Sequence, residues 1–136
     1  MIVADVMDEL GTALEAVTDL TGRVFYYPPA KITPPTAIIA FPDTIEFDET
    51  YGRGMDRITI PVIVVAGNVS VRAARDRIVA YCNGSGAKSV KTAIDDGTYV
   101  ACDTVRVTAA ELDIFTMSGV DYISATFEVD VTGSGT

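Results

Sequence analysis

Histidine and tryptophan are both absent from this 136-residue chain, and cysteine occurs only twice. Without histidine, no Ser-His-Asp triad, no Cys-His nucleophile pair and no histidine metal site can be built from this chain alone. Two cysteines, Cys82 and Cys102, do not make a disulfide framework. They read as buried free thiols, as expected of a protein made in a reducing cytoplasm. Positive charge is scarce too: 10 Lys and Arg stand against 19 Asp and Glu, a net charge of −9. That is the wrong sign for a protein that grips nucleic-acid phosphates non-specifically. The longest uncharged apolar run, residues 58–66, is too short to cross a bilayer. Met1-Ile2-Val3 is apolar, but Asp5, Asp8, Glu9, Glu15 and Asp19 interrupt any signal-peptide core.

What is present suits a folded domain. Hydrophobic residues make up 49% and charged residues 21% of a 14.4 kDa chain, which excludes a disordered tail or a coiled coil and supplies one core. A single domain over residues 1–131 is expected, followed by a flexible Gly/Ser tail at 132–136.

Periodicity predicts the elements. Val3, Val6, Leu10, Leu14, Val17 and Leu20 form one stripe of an amphipathic helix ending near Thr21, with Gly22 as its stop. Residues 24–27 make a short strand candidate. Residues 36–41, apolar on both faces, read as a central strand. Residues 44–54 read as a strand fragment and then a flexible acidic loop. In residues 55–66, Ile58, Ile60, Val62 and Val64 face one way, and Pro61 predicts a bulge or an edge position. A second helix carries Val71, Ala74, Ile78 and Tyr81 or Cys82 inward, with Arg72, Arg75, Asp76 and Arg77 on or near its outer face; a third is expected over 87–95. Strands over 101–108 and 112–117 follow. The latter joins a strand over 120–131 through the hairpin turn Ser118-Gly119. The whole reads as α+β: a mixed, mostly antiparallel sheet, an N-terminal helix and a central helix pair mainly on one face, and a C-terminal β-hairpin.

The search for chemistry finds little. Asp43, Glu46, Asp48, Glu49 and Asp56 form the densest carboxylate cluster, but the spacing is not that of an EF-hand, so a solvated loop is expected. Gly52-Arg53-Gly54 and Asn83-Gly84-Ser85-Gly86 lack the spacing of phosphate loops. The thiols lack a His partner. No catalytic residue, cofactor site or metal site is assigned. Arg72, Arg75 and Arg77 form a basic cluster that reads as a solvated helix face or a contact surface for an acidic partner.

Several strings nevertheless resemble a known family. Phe47-Asp48-Glu49-Thr50-Tyr51-Gly52-Arg53-Gly54-Met55-Asp56, running into Ile58-Thr59-Ile60-Pro61-Val62, is similar to the centre of tail terminator proteins of long-tailed bacteriophages. The similarity continues through Arg72-Ala73-Ala74-Arg75-Asp76-Arg77 and Cys102-Asp103-Thr104-Val105-Arg106-Val107, and ends with residues 120–129. The resemblance implies a non-enzymatic α+β subunit of a ring, typically hexameric. That ring caps the head-proximal end of the tail tube, stops its growth and offers a surface to the head connector. Its implied partners are therefore further copies of itself, the tail tube protein and a head–tail connector protein, with DNA passing through the lumen unbound and no membrane. The implied location is the virion, after assembly in the host cytoplasm, and the net negative charge would suit an unsticky lumen. The implied interface residues are Glu46, Asp48, Glu49, Tyr51, Arg53 and Asp56 of the acidic loop, Arg72 and Arg75, and Phe115, Met117, Ser118 and Tyr122 about the hairpin. The alternatives are a neighbouring head–tail joining or tail completion subunit, or a small divalent-metal enzyme or binding module using the carboxylates of residues 43–56.

Overall fold

The computed structural model describes residues 2–17, 20–26, 35–47, 55–68, 72–84, 86, 88–117 and 119–134. Its order is α1 (Val3–Leu14), β1 (Val24–Phe25), β2 (Thr36–Ile39), β3 (Thr44–Glu46), β4 (Met55–Asn68), α2 (Arg72–Tyr81), α3 (Val90–Asp95), β5 (Thr104–Met117) and β6 (Val120–Ser134). The strands make one sheet in the order β1-β2-β4-β6-β5, with β3 also paired to β4. Only β1 and β2 run parallel among these pairs. The fold is α+β.

Alternation decides which face holds the core. Ile58, Ile60, Val62 and Val64 of β4 lie beside Ala125, Phe127, Val129 and Val131 of β6, and all eight are buried. Against them pack Val6, Leu10 and Leu14 of α1, Ala74, Ile78 and Tyr81 of α2, and Val90 and Ile94 of α3, in one continuous cluster. The helices thus cover one face of the sheet. Gly11 of α1 is there for contact: a Cβ on it would stand 2.5 Å from the Tyr26 ring, which outweighs the roughly 1 kcal/mol that glycine costs inside a helix.

Four expectations are corrected. The first helix stops at Leu14, and beyond it Val17 N–H donates to Leu14 O, Leu20 N–H to Val17 O and Arg23 N–H to Leu20 O, each bond spanning three residues instead of four. A step of three keeps Leu14, Val17 and Leu20 on the buried side, so the stripe survives where the α-helix does not. The third helix begins at Val90, because Ser89 caps it by accepting from Thr92 N–H at 3.1 Å while donating to Asn83 O at 2.6 Å. The strands expected at 101–108 and 112–117 are one strand, β5, with a bulge between Val107 and Ala109. Lastly, β6 runs on to Ser134: Thr132, Gly133 and Ser134 pair with Arg57, Asp56 and Met55. Ladder bonding uses the backbone, so small side chains there do not prevent it. Residues 135–136 lie outside the described residues.

Pro61 sits in a fully paired central strand, opposite Glu128. Ala40 N–H donates to Pro61 O and Asp43 N–H to Thr59 O, so these residues turn their backbone groups away from β6. On that side β2 ends opposite Val62 and β3 begins opposite Thr59. The missing N–H therefore falls in the gap between two short partner strands, where it breaks no ladder bond. The bulge of β4 lies farther on, between Val65 and Gly67, where Arg77 Nη1 donates to Ala66 O at 2.8 Å.

Candidate functional site

The sheet's second face carries polar side chains over much of its area. Glu46 of β3 stands opposite Arg57 of β4, and Arg57 Nη2 lies 2.7 Å from Asp130 Oδ2 of β6. Thr59 Oγ1 donates to Asp130 Oδ1 at 3.2 Å, and Arg106 of β5 stands opposite the same aspartate. The Arg57–Asp130 pair is partly exposed, so it is worth at most about 1 kcal/mol. It orders a polar surface more than it stabilises the fold.

At the other end of the sheet β5 and β6 outrun the helices. Ala110, Leu112 and Ile114 stand opposite Phe127, Ala125 and Ile123 and so point to the helix-bearing side. Yet Leu112 is 62% and Ile114 58% exposed. α3 packs on β5 and its Asp95 Oδ1 accepts Val107 N–H at 3.3 Å, while α2 packs on β4 and β6. Beyond the bulge Ala110, Leu112 and Ile114 are exposed on the helix-bearing side, and β5 has no further strand beside it among the described residues. A long apolar edge strand of this kind is a template for association. Phe115 and Tyr122, directly opposite each other and half-buried, lie on the polar face. Gly119 closes the hairpin at φ +78, a left-handed conformation that favours glycine.

The candidate interface residues do not form one site. Glu46 is exposed on β3 and Asp56 sits at the start of β4. Arg72 and Arg75 are exposed on α2, where Arg75 pairs with its neighbour Asp76 at 2.8 Å. Met117 ends β5. Asp48, Glu49, Tyr51, Arg53 and Ser118 lie outside the described residues. Among the described residues no group of three or more Asp, Glu or Cys could hold a metal ion, and no helix is long and apolar enough to cross a membrane. A depression of about 260 Å³ is lined by small residues such as Ala13, Gly86 and Gly97, and another of about 360 Å³ by Asp5, Asp8, Glu9, Val100 and Ala101. Leu112 and Ile114 were legible as alternating apolar residues, but their exposure follows from helix lengths that periodicity does not report.

Burial favours the neutral form of both thiols. Burial, and then the Glu9 and Asp103 carboxylates, push Cys102 from 9.0 up to about 11, and burial also raises Cys82. Tyr99, whose hydroxyl donates to Ile94 O at 2.6 Å, is raised chiefly by burial and then by the Cys102, Asp95 and Glu9 charges. Well below pH 9 the Cys102 thiol is neutral in both folded and unfolded chains. Between 9 and 11 the unfolded thiol ionises while the folded one stays protonated, so folding stability should fall through that window. Denaturation midpoints from pH 8 to 11 check this, and Cys102→Ala should flatten the decline. A slope unchanged by that substitution would refute it.

The chain matches no protein-family model and no curated protein.

Proposed function

We propose that this protein is a structural ring subunit of a phage tail, a terminator that caps the head-proximal end of the tail tube, stops its growth and presents a joining surface to the head connector. The observation that carries the reading is the β5–β6 hairpin, which exposes Leu112 and Ile114 beyond the helices along an edge strand. A monomer gains nothing from such a feature, whereas an assembling subunit needs it. In this reading further copies, the tail tube protein and the connector protein are the partners. DNA passes a lumen of net negative character without adhering, and the protein resides in the virion. The resemblance of residues 47–62, 72–77 and 102–107 to tail terminators supports the same conclusion.

Light scattering across a concentration series tests it. The expected species is a closed ring near six times 14.4 kDa, about 86 kDa. A strict monomer at every concentration, both alone and with polymerised tube protein, overturns the reading. A saturable Ca²⁺ or Mg²⁺ isotherm lost in Asp48→Ala would point instead to a metal-binding module.

A further inference from the structure

Two exposed apolar strips lie on opposite margins of the sheet. β4 pairs with β6 along its length, so β3 uses the other side of β4, while β5 lies beyond β6. Phe41 and Phe47, 70% and 72% exposed, flank β3 together with Ile45; Leu112 and Ile114 lie on β5. Surfaces on opposite margins can be occupied together by two neighbours, which head-to-tail association requires.

Charge decides which strip meets which. Residues 107–136 contain five acids and no base, so a hairpin laid on a second hairpin sets like charges together. Residues 72–95, by contrast, contain five bases and two acids, with Arg75 paired to Asp76 and Lys91 to Asp95. They form the helical layer bordering the hairpin strip: α2 packs on β6, α3 packs on β5, and Arg77 is fixed to Ala66 beside the Gly67–Ile123–Ile114 row. The β3 strip, residues 36–47, carries two acids, Asp43 and Glu46, and no base.

We infer that the Phe41–Phe47 strip of one copy docks on Leu112 and Ile114 of the next, with its acids against the basic helical layer of that copy. The contact rests on the ring-forming reading and specifies which surfaces build the ring. It is heterologous: each copy gives its β3 strip to one neighbour and its hairpin to the other.

Complementation tests it. Leu112→Glu with Ile114→Glu disables the hairpin, and Phe41→Lys with Phe47→Lys disables the strip; all four side chains are exposed, and circular dichroism matching the parent shows that each variant folds. Each alone should be monomeric. Their mixture should pair one to one, at twice 14.4 kDa or about 29 kDa, and grow no further. The milder variants Leu112→Thr with Ile114→Thr, and Phe41→Ser with Phe47→Ser, should each raise the concentration needed for assembly at least tenfold. If the parent assembles and the variants do too, this contact is wrong while the ring reading stands. If the variants are monomeric but do not pair, the strips meet something other than each other, and the inference fails. A parent that stays monomeric overturns the inference, and with no gain in mass on tube protein it removes the reading beneath it.

Discussion

Replacing Tyr81 with alanine should lower folding stability by about 3–5 kcal/mol, the range for truncating a large buried aromatic side chain. Tyr81 closes α2 and is fully buried, in the same cluster as Ile78, Ile60 and Phe127. α2 has ten residues, and Arg72, Arg75, Asp76 and Val79 on its outer side are exposed. A helix this short is marginal in water, so packing of its inner stripe must hold it. Since domains carry only about 5–15 kcal/mol in total, the loss would be a large share. Urea unfolding followed by circular dichroism reads it as a lower midpoint at unchanged slope. A loss under about 1 kcal/mol would show that the helix is held by something other than this stripe.

The second large effect is expected at Glu9. Its two carboxylate oxygens accept Val100 N–H and Ala101 N–H, each at 2.7 Å, and so tie the middle of α1 to the segment entering β5. Hydrogen bonds to a charged acceptor contribute about 1.5–3 kcal/mol each, and partial exposure places the pair toward the low end. Glu9→Ala should therefore cost about 2–4 kcal/mol. Hydrogen exchange gives a site-specific check, because the Val100 and Ala101 amides should lose protection while those of β4 keep theirs near the global limit. Glu9→Gln, which keeps one good acceptor, should lose about half as much. The same substitution removes a charge that raises Cys102, so alkylation of that thiol should quicken at alkaline pH. Equal exchange rates in parent and variant would show that the clasp is not formed in solution.

Sheet and helices were legible wherever a side chain's burial follows from its own position in the period. Ile58 to Val64 and Ala125 to Val131 alternate without interruption and are buried as read. The misreadings occur where backbone bonding takes over from side-chain pattern. In β5 the apolar residues are odd-numbered at Val105 and Val107 but even-numbered at Leu112 and Ile114. That change of parity is the signature of the bulge, and it makes one strand look like two. Thr132, Gly133 and Ser134 carry no apolar signal, yet their amides complete the ladder to Met55–Arg57. Pro61 was legible as a position without a donor, but its harmlessness depends on β2 and β3 leaving a gap there, a tertiary arrangement invisible in one strand's sequence. For the site, the acidic loop and the basic helix face could be read as charged segments. The exposure of Leu112 and Ile114 could not, because it depends on where α2 and α3 stop.

The β4–β6 ladder has a consequence for how quickly the chain can fold. The hairpin closes locally, with Thr116 and Asp121 bonded across five residues of chain. The partners Arg57 and Asp130 lie 73 residues apart, and Ala101 and Glu9 lie 92 apart. Such separations give slow folding, because the entropy of closing long loops is lost before non-local contacts return anything. β5 and β6 can therefore meet early, while β4 must arrive from across the chain to fill the centre. Until it does, β6 offers an open edge on one flank as β5 does on the other, and a nascent subunit at high concentration can pair through either. Once β4 has docked, the flank of β6 is closed and only the outer edge of β5 stays open on the hairpin, one of the two margins at which the finished subunit is left able to join another.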